Sequence, residues 1–553
     1  MGNASARSTK INETEIDGVR CFWVDTGRPT LAASLMFRQG LADESLVESG
    51  WLHILEHMSL HGTGGGSLHV NGSVSMLVTS FDAHGPADAV ASHFTSLTSA
   101  LSAPDLRDLE RERGVLRAEA QMRGGPVQRA VAWRYGARGP GTSSFAEPGL
   151  ARATETALAA RAAKVFVKQN AAIILDGPPP AGLQLSLPDG LFSTPAVAIP
   201  CEDELPAAYV DDVGVVLSGL VERSMGATVL PYVIERVLRE RLRVEAGAAY
   251  APWSVYERVD NGKALVIAGS DVNQEMYPDI VKATMTSLSR IDDEGFPAEY
   301  VREIVDAMLQ AMRDPYNAFS FAATAANAFF DGRDWQDMDA ILDEVSAVSS
   351  ETLQQDWRSF RQSMLLGVPG KASWDDELTM LRAPSHPTRK EGRRFRHRDW
   401  PATTYELRID DAAVQISENG EARSIQLDDV EAVISFSDGA RNIISSDGWN
   451  IFIEGAEWTD GDLAMALLDR KIPLKRHLIQ PARSGLDLGK RIPAAKRWWA
   501  GLKRVIIGSG VSVVVLYAFF IAIVVGACIL VGNALPAIGG AVALWGTGRD
   551  SKA

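Results

Sequence analysis

The sequence predicts an α+β chain: two similar α/β units in tandem, then a small β-rich domain and an apolar helix near the C-terminal end. Three observations carry this. Residues 15–370 pass twice through the order strand, helix, strand pair, helices, strand. Residues 403–476 switch to short alternating segments with turn residues between them. Residues 505–531 form an uncharged apolar run, longer than the roughly 20 residues that span a bilayer as a helix. A chain of 553 residues also exceeds what one core supports.

The first unit, residues 1–195, opens with "VRCFWVDTG" and "LAASLMFRQG", two short strands each closed by Gly. A helix is expected around 45–61, stopped by the glycines at 62 and 64–66. "SVSMLVTSF" reads as a strand. "ADAVASHFTSLTSALS" and "APDLRDLERERGVLRAEAQMR" have helical periodicity, and "AAIILDG" is the closing strand. "SLPDGLFSTPAVAIPCEDELP" is Pro-rich and aperiodic, hence a linker.

The second unit, residues 205–370, repeats the pattern. "VGVVLSGLV" is a strand and "VLPYVIERVLRERL" a helix. "APWSVYERV" and "KALVIAGSDV" form a hairpin, three helical stretches follow, and "SMLLGVPG" closes the unit. Residues 371–402, with the basic cluster "RKEGRRFRHR", read as a linker. Residues 403–476 give several strands and one last helix, "DGDLAMALLDRK". This outline resembles the bacterial pleckstrin-homology-like domains. Residues 477–504 are a basic linker, 505–531 a membrane span and 532–553 a tail.

Composition narrows the function classes. A net charge of −15 argues against general nucleic-acid binding, because phosphate repulsion would go uncompensated. Cys21, Cys201 and Cys528 are too scattered for a disulfide framework, which fits a reducing compartment. The polar start "MGNASARSTKINETEIDG" has no secretory apolar region, and Ala6 breaks the myristoylation pattern.

Chemistry concentrates in "HILEHMSLHGTG", residues 53–64. On a helix, His53 and His57 share a face one turn apart and aim two imidazoles at one point, with Glu56 flanking it. Imidazole and carboxylate suit Zn²⁺, and a carboxylate beside an attacking water can take its proton. This H-x-x-E-H pattern is the inverted zinc-protease helix. The bland alternative is a solvated helix that happens to hold histidines. A third ligand could come from Glu110, Glu112 or Glu119, and the residues alone leave that choice open.

"GWLHILEHMSLHGT" resembles the active-site helix of the pitrilysin and insulysin family of zinc peptidases, which includes the mitochondrial processing peptidases. Gly62 and Thr63 match the family's Gly-Thr turn, and Glu112, Arg113 and Glu119 match its E-R-x-x-x-x-x-E helix. The resemblance implies that the two α/β units are peptidase-type units. It implies His53, His57 and Glu119 as zinc ligands, Glu56 as general base, and Glu112 as an acid that orients the site. "LRVEAGAAY" matches the family's L-R-x-x-x-x-x-x-Y pattern, so Arg243 and Tyr250 are implied to bind the substrate carbonyl and its developing oxyanion.

There are departures. Only 62 residues separate His57 from Glu119, shorter than the family pattern. The shortening falls in "GGGSLHVNGSVS", and the family's Asn-Ala pair, which helps align substrate backbone, is absent there. His61, His69, His84 and His93 match no motif and read as exposed or structural.

These readings converge on a membrane-anchored zinc metalloendopeptidase acting on peptides or unstructured segments docked as an extra strand. The alternative is a catalytically silent peptide-binding or scaffold subunit. The resemblance further implies a homodimer or pairing with a related chain, because family members enclose substrate between two halves. Lys490, Arg491, Lys496, Arg497, Lys503 and Arg504 precede the apolar run and only Arg549 and Lys552 follow it, which predicts a single-pass cell-membrane protein with cytoplasmic peptidase units.

Overall fold

The computed structural model describes residues 10–61, 66–120, 124–202, 204–211, 214–245, 252–271, 276–370 and 378–483. The first unit is one six-stranded sheet. Its strands are β1 (Asn12–Ile16), β2 (Val19–Trp23), β3 (Leu31–Phe37), β4 (His69–Val74), β5 (Thr79–Gly85) and β6 (Ala171–Leu175). They lie in the order β1-β2-β6-β3-β5-β4, antiparallel throughout except for β2 with β6. The helices are α1 (Trp51–Leu60), α2 (Ala87–Ser102), α3 (Leu109–Ala120), α4 (Pro126–Tyr135) and α5 (Glu155–Val165). Leu52, Ile54 and Leu55 of α1 join Phe94 and Leu97 of α2 and Leu158 of α5 over one face of the sheet.

The second unit repeats this plan. β7 (Ala207–Val210), β8 (Gly214–Glu222), β9 (Pro252–Arg258), β10 (Lys263–Asp271), β11 (Leu365–Val368) and β12 (Thr379–Met380) lie in the order β12-β7-β11-β8-β10-β9. The sheet is again antiparallel within its inner strands apart from one internal parallel pair, here β7 with β11; the short β12 adds to β7 in parallel. Its helices are α6 (Met225–Arg239), α7 (Tyr277–Glu294), α8 (Ala298–Arg313), α9 (Phe319–Phe330), α10 (Met338–Ser346) and α11 (Ser350–Gln362). Leu230, Val233, Ile234 and Val237 recur at helical spacing on α6 and bury against β8 and β10.

The two sheets face one another across a shared core, and each unit lends a helix to the other. α4 of the first unit packs on β8, β10 and β11, while α9 of the second packs on β2 and β6. Phe321 and Phe330 of α9 are fully buried there among Phe22, Ile174 and Ile267. Each such side chain is worth about 1.5–3 kcal/mol on burial, so the units are bound as one body by apolar contact.

The third region holds two four-stranded sheets. β13 (Arg393–Arg396), β14 (Glu406–Ile409), β15 (Ala413–Glu418) and β16 (Glu421–Gln426) form one. β17 (Val430–Phe436), β18 (Ala440–Ser445), β19 (Asn450–Glu454) and β20 (His477–Gln480) form the other, with α12 (Gly461–Lys471) against the shared core. The region docks on the first unit through Leu46, Ala137, Ala432, Ile444 and Leu478.

Four differences from the sequence reading have physical causes. β13 lies inside the stretch read as a linker; its single inward residue, Phe395, is masked by the arginines around it. The last helix is not the end, because β20 returns parallel to β17. "SVSMLVTSF" is not one strand but the turn between β4 and β5, whose Met76, Leu77 and Val78 plug the core between the units. The helix expected from 45 starts only at Trp51, because Gly50 sits at φ +89°. Among the described residues no helix is long and apolar enough to cross a membrane, and the 505–531 run lies outside them.

Candidate metal centre

The site is built on α1, whose N-terminus has no side-chain cap from Gly50. The Glu44 carboxylate does that work from six residues upstream, accepting from the Gly50 amide at 2.9 Å and the Leu52 amide at 2.7 Å. Burial pushes Glu44 up to about 8, against the pull of Arg161 and these two amides.

One turn into α1, His53 and His57 stand edge to face with ring centroids 4.8 Å apart. The Glu119 carboxylate, from the end of α3, lies 3.8 Å from His53 Nε2 and 3.9 Å from His57 Nε2. One ligand atom from each of the three falls within 4.8 Å of the others. Such a set, two imidazoles and one carboxylate, fits a divalent cation of the zinc type.

The other face of each imidazole is also held. His53 Nδ1 lies 3.0 Å from Glu147 Oε1, and His57 Nδ1 lies 3.4 Å from Glu112 Oε2. A carboxylate on Nδ1 fixes the tautomer that leaves Nε2 free to bind a metal. Glu147 is buried and adopts a left-handed backbone at φ 47°. Glu112 also takes His61 Nε2 at 2.9 Å and Arg111 Nε at 3.2 Å. Burial works to raise the Glu112 carboxyl, but its hydrogen bonds with His57, Arg111 and His61 outweigh this and hold it below the ordinary value.

Glu56 is buried, with its carboxylate 3.7 Å from His57 Nε2. Burial pushes it up to about 7; His57 pulls the other way and Glu119 adds to the rise. A carboxylate poised there can take and return a proton near neutral pH.

Glu56 also lies against β4, the edge strand. A Cβ at position 72 would come within 2.6 Å of Glu56 Cδ, so the strand passes the base only because residue 72 is Gly. Asn71 and Gly72 stand side by side on β4. This pair sits on a sheet edge with no strand beyond it among the described residues.

The structure thus brings together His53, Glu56, His57, Glu112 and Glu119. Arg243 lies in a π-helical turn over Glu240–Glu245, with its side chain outside the description, and Tyr250 lies outside the described residues. Glu147, Glu44 and His61 went unassigned in the sequence. His61 had a signal, its i+4 spacing from His57. Glu147 had none, since it meets His53 from 94 residues away. His69 and His84 stack across β4 and β5, and His93 is buried in α2.

This architecture recurs among solved structures. The chain is similar to the first half of the periplasmic protease PqqL from Escherichia coli, at 15% identity over 65% of this chain and 92% of that one, TM-score 0.51. It is similar to a protease from Helicobacter pylori, at 13% identity over 65% and 100%, TM-score 0.53. It is also similar to an inactive M16 peptidase domain from Pseudomonas fluorescens, at 12% identity over 66% and 100%, TM-score 0.53. The fold is M16 peptidase-like. No protein-family model and no curated protein matches the chain. Because an inactive domain shares this fold, the chemistry has to be argued from the side chains.

Proposed function

We propose that this chain is a zinc metalloendopeptidase in which His53, His57 and Glu119 hold the metal. The observation that supports it most is the doubled support of the imidazoles: each Nε2 faces Glu119 while each Nδ1 is held by its own buried carboxylate. A solvated helix would have no use for four carboxylates around two histidines. Zinc, when bound, would supply Lewis-acid polarisation and a more acidic water.

The chain's own residues do the rest. Glu56 takes the proton of the attacking water and returns it to the leaving amine. β4 offers its unpaired edge to an extended peptide, which then runs past Glu56 at Gly72. Arg243 and Tyr250 are the proposed partners of the carbonyl oxygen as charge develops on it. Residues 505–531 are the proposed membrane anchor, with the peptidase units on the cytoplasmic side and a second copy or related chain completing the substrate chamber. The third region is the proposed pleckstrin-homology-like domain.

Metal content tests this. Full-length protein should hold one zinc per chain by atomic emission, and His53→Ala should lose it. Equal zinc in both proteins, or none in the wild type, would sink the assignment.

A further inference from the structure

Glu147, the carboxylate behind His53, stands on a segment that is held from two sides. The segment runs from the end of α4 to the start of α5, through short 3-10 turns at Gly139–Ser144 and Pro148–Arg152. Its inner side is fastened to the start of α1. The Gly149 amide donates to Ser49 Oγ at 3.1 Å, and Trp51 Nε1 donates to the Gly149 carbonyl at 3.0 Å. Glu147 itself needs such support. Its carboxylate is buried and its backbone is left-handed at φ 47°, a conformation that L side chains keep only where the surroundings fix it.

The outer side of the same segment carries the third region. Phe145 and Ala151, flanking Glu147, pack against the cluster that holds Ala432, Ile444 and Leu478 of that region. The Ala137 amide donates to the Ser446 carbonyl at 2.9 Å. Arg138 pairs with Glu431 and lies 3.8 Å from Asp429, and Arg152 donates to the Lys475 carbonyl. Gly136 approaches so closely that a Cβ there would come within 2.3 Å of the Ser446 carbonyl oxygen. The third region's own core gathers Val433, Ile443 and Ile451, the strand neighbours that point the other way. Ala432 and Ile444 therefore face the first unit, and both are buried against it.

We propose that the third region is a positioning part of the metal centre: docked on residues 136–152, it holds Glu147 in place behind His53. Displacing the third region frees that carboxylate and weakens the metal site. Metal held by His53 tightens the docking in return, because coupling between two sites is reciprocal. That the brace reaches metal affinity rests on the zinc reading; the brace itself does not.

Hydrogen exchange of the metal-free full chain and chelator competition for zinc test it. Ala432→Lys sets a long cation in the contact, and on an undocked strand face the same lysine is simply solvated. Residues 143–151 should then exchange about tenfold faster than in the wild type, with β14 and β15 still protected. Zinc affinity should fall about fivefold. Ala432→Ser should change neither. In a chain carrying Glu147→Gln, adding Ala432→Lys should move zinc affinity less than about twofold, because the group being positioned is gone. Arg138→Glu sets like charge against Glu431 and Asp429 and leaves the third region untouched. It should act in the same direction, and adding Glu431→Arg should restore the wild-type behaviour; this pair decides the matter if Ala432→Lys also exposes β14 and β15. Unchanged exchange over 143–151, unchanged zinc affinity despite faster exchange, or an equal loss of affinity with and without Glu147→Gln would overturn the proposal. Exchange is read without metal, so the brace and the zinc assignment can fail separately.

Discussion

The two α/β units share a sheet order, a parallel pair and a helix after the second inner strand, yet among the described residues only one gathers side chains that could hold a metal ion. In the first unit α1 brings in His53, Glu56 and His57. In the second, the helix in the same place, α6, spends its inward positions on Val229, Leu230, Val233 and Ile234. The caps differ in the same way. α1 is capped by the buried Glu44 carboxyl from the segment just before it; α6 is capped by its own Ser224 hydroxyl, 2.9 Å from the Ala227 amide. The fold sets where a helix lies over a sheet, and a few side chains decide whether that helix binds a metal or only packs. The left-handed Glu147 and the buried carboxyl groups of Glu44, Glu56, Glu112 and Glu147 gather around α1.

The comparison can be broken most severely at the two carboxylates behind the histidines. Glu147→Gln and Glu112→Gln should each weaken zinc binding by about 10–100-fold, read by chelator competition, because Nδ1 of the supported histidine loses its anionic partner. Equal zinc affinity in both variants and the wild type would show that the imidazoles are held by packing alone. No carboxylate of α6 should matter to zinc at all.

Gly72→Ala should act on rate more than on metal. The new methyl group meets Glu56, so the base must shift, and a shift of about 1 Å can cost about 100-fold in kcat. Zinc content should stay at the wild-type level. An unchanged kcat would remove Gly72 from the account.

The caps give a pH test. The Glu44 carboxyl rises from 4.5 to about 8 in the folded chain, so the native state holds a proton that the unfolded state releases. Its contribution is fully present below pH 4.5 and is lost as pH rises towards 8, with a slope of at most about 1.4 kcal/mol per pH unit. Denaturant unfolding of Glu44→Gln should show a flatter pH dependence over that window. A wild-type slope in this variant would refute the role of burial. The smallest effect belongs to the second unit: Ser224→Ala should cost about 1 kcal/mol, independent of pH and without loss of zinc.

Much of this was legible in the sequence where the signal is local. His53, Glu56 and His57 lie within one helical turn and a half, so spacing alone placed them together. The choice of Glu119 over Glu110 and Glu112 was not local, and needed the resemblance of the whole helix pattern. Glu147 was invisible because it reaches α1 across a path no periodicity encodes, and Glu44 because it caps from six residues before Gly50, beyond the usual N-cap position. The 75–78 turn was misread because its apolar residues serve the contact between units, a tertiary demand that looks like strand in a short window. β13 was missed for the opposite reason: three exposed arginines hide one buried phenylalanine.

In the proposed mechanism Glu56 supplies the proton chemistry beside a metal it does not bind. Glu56→Gln keeps the shape of the side chain and removes its basicity. The measurement is peptide-library hydrolysis by this variant at matched zinc occupancy. One zinc per chain with hydrolysis reduced by about 10²–10⁴-fold is the expected result. Hydrolysis at the wild-type rate with zinc bound would contradict it.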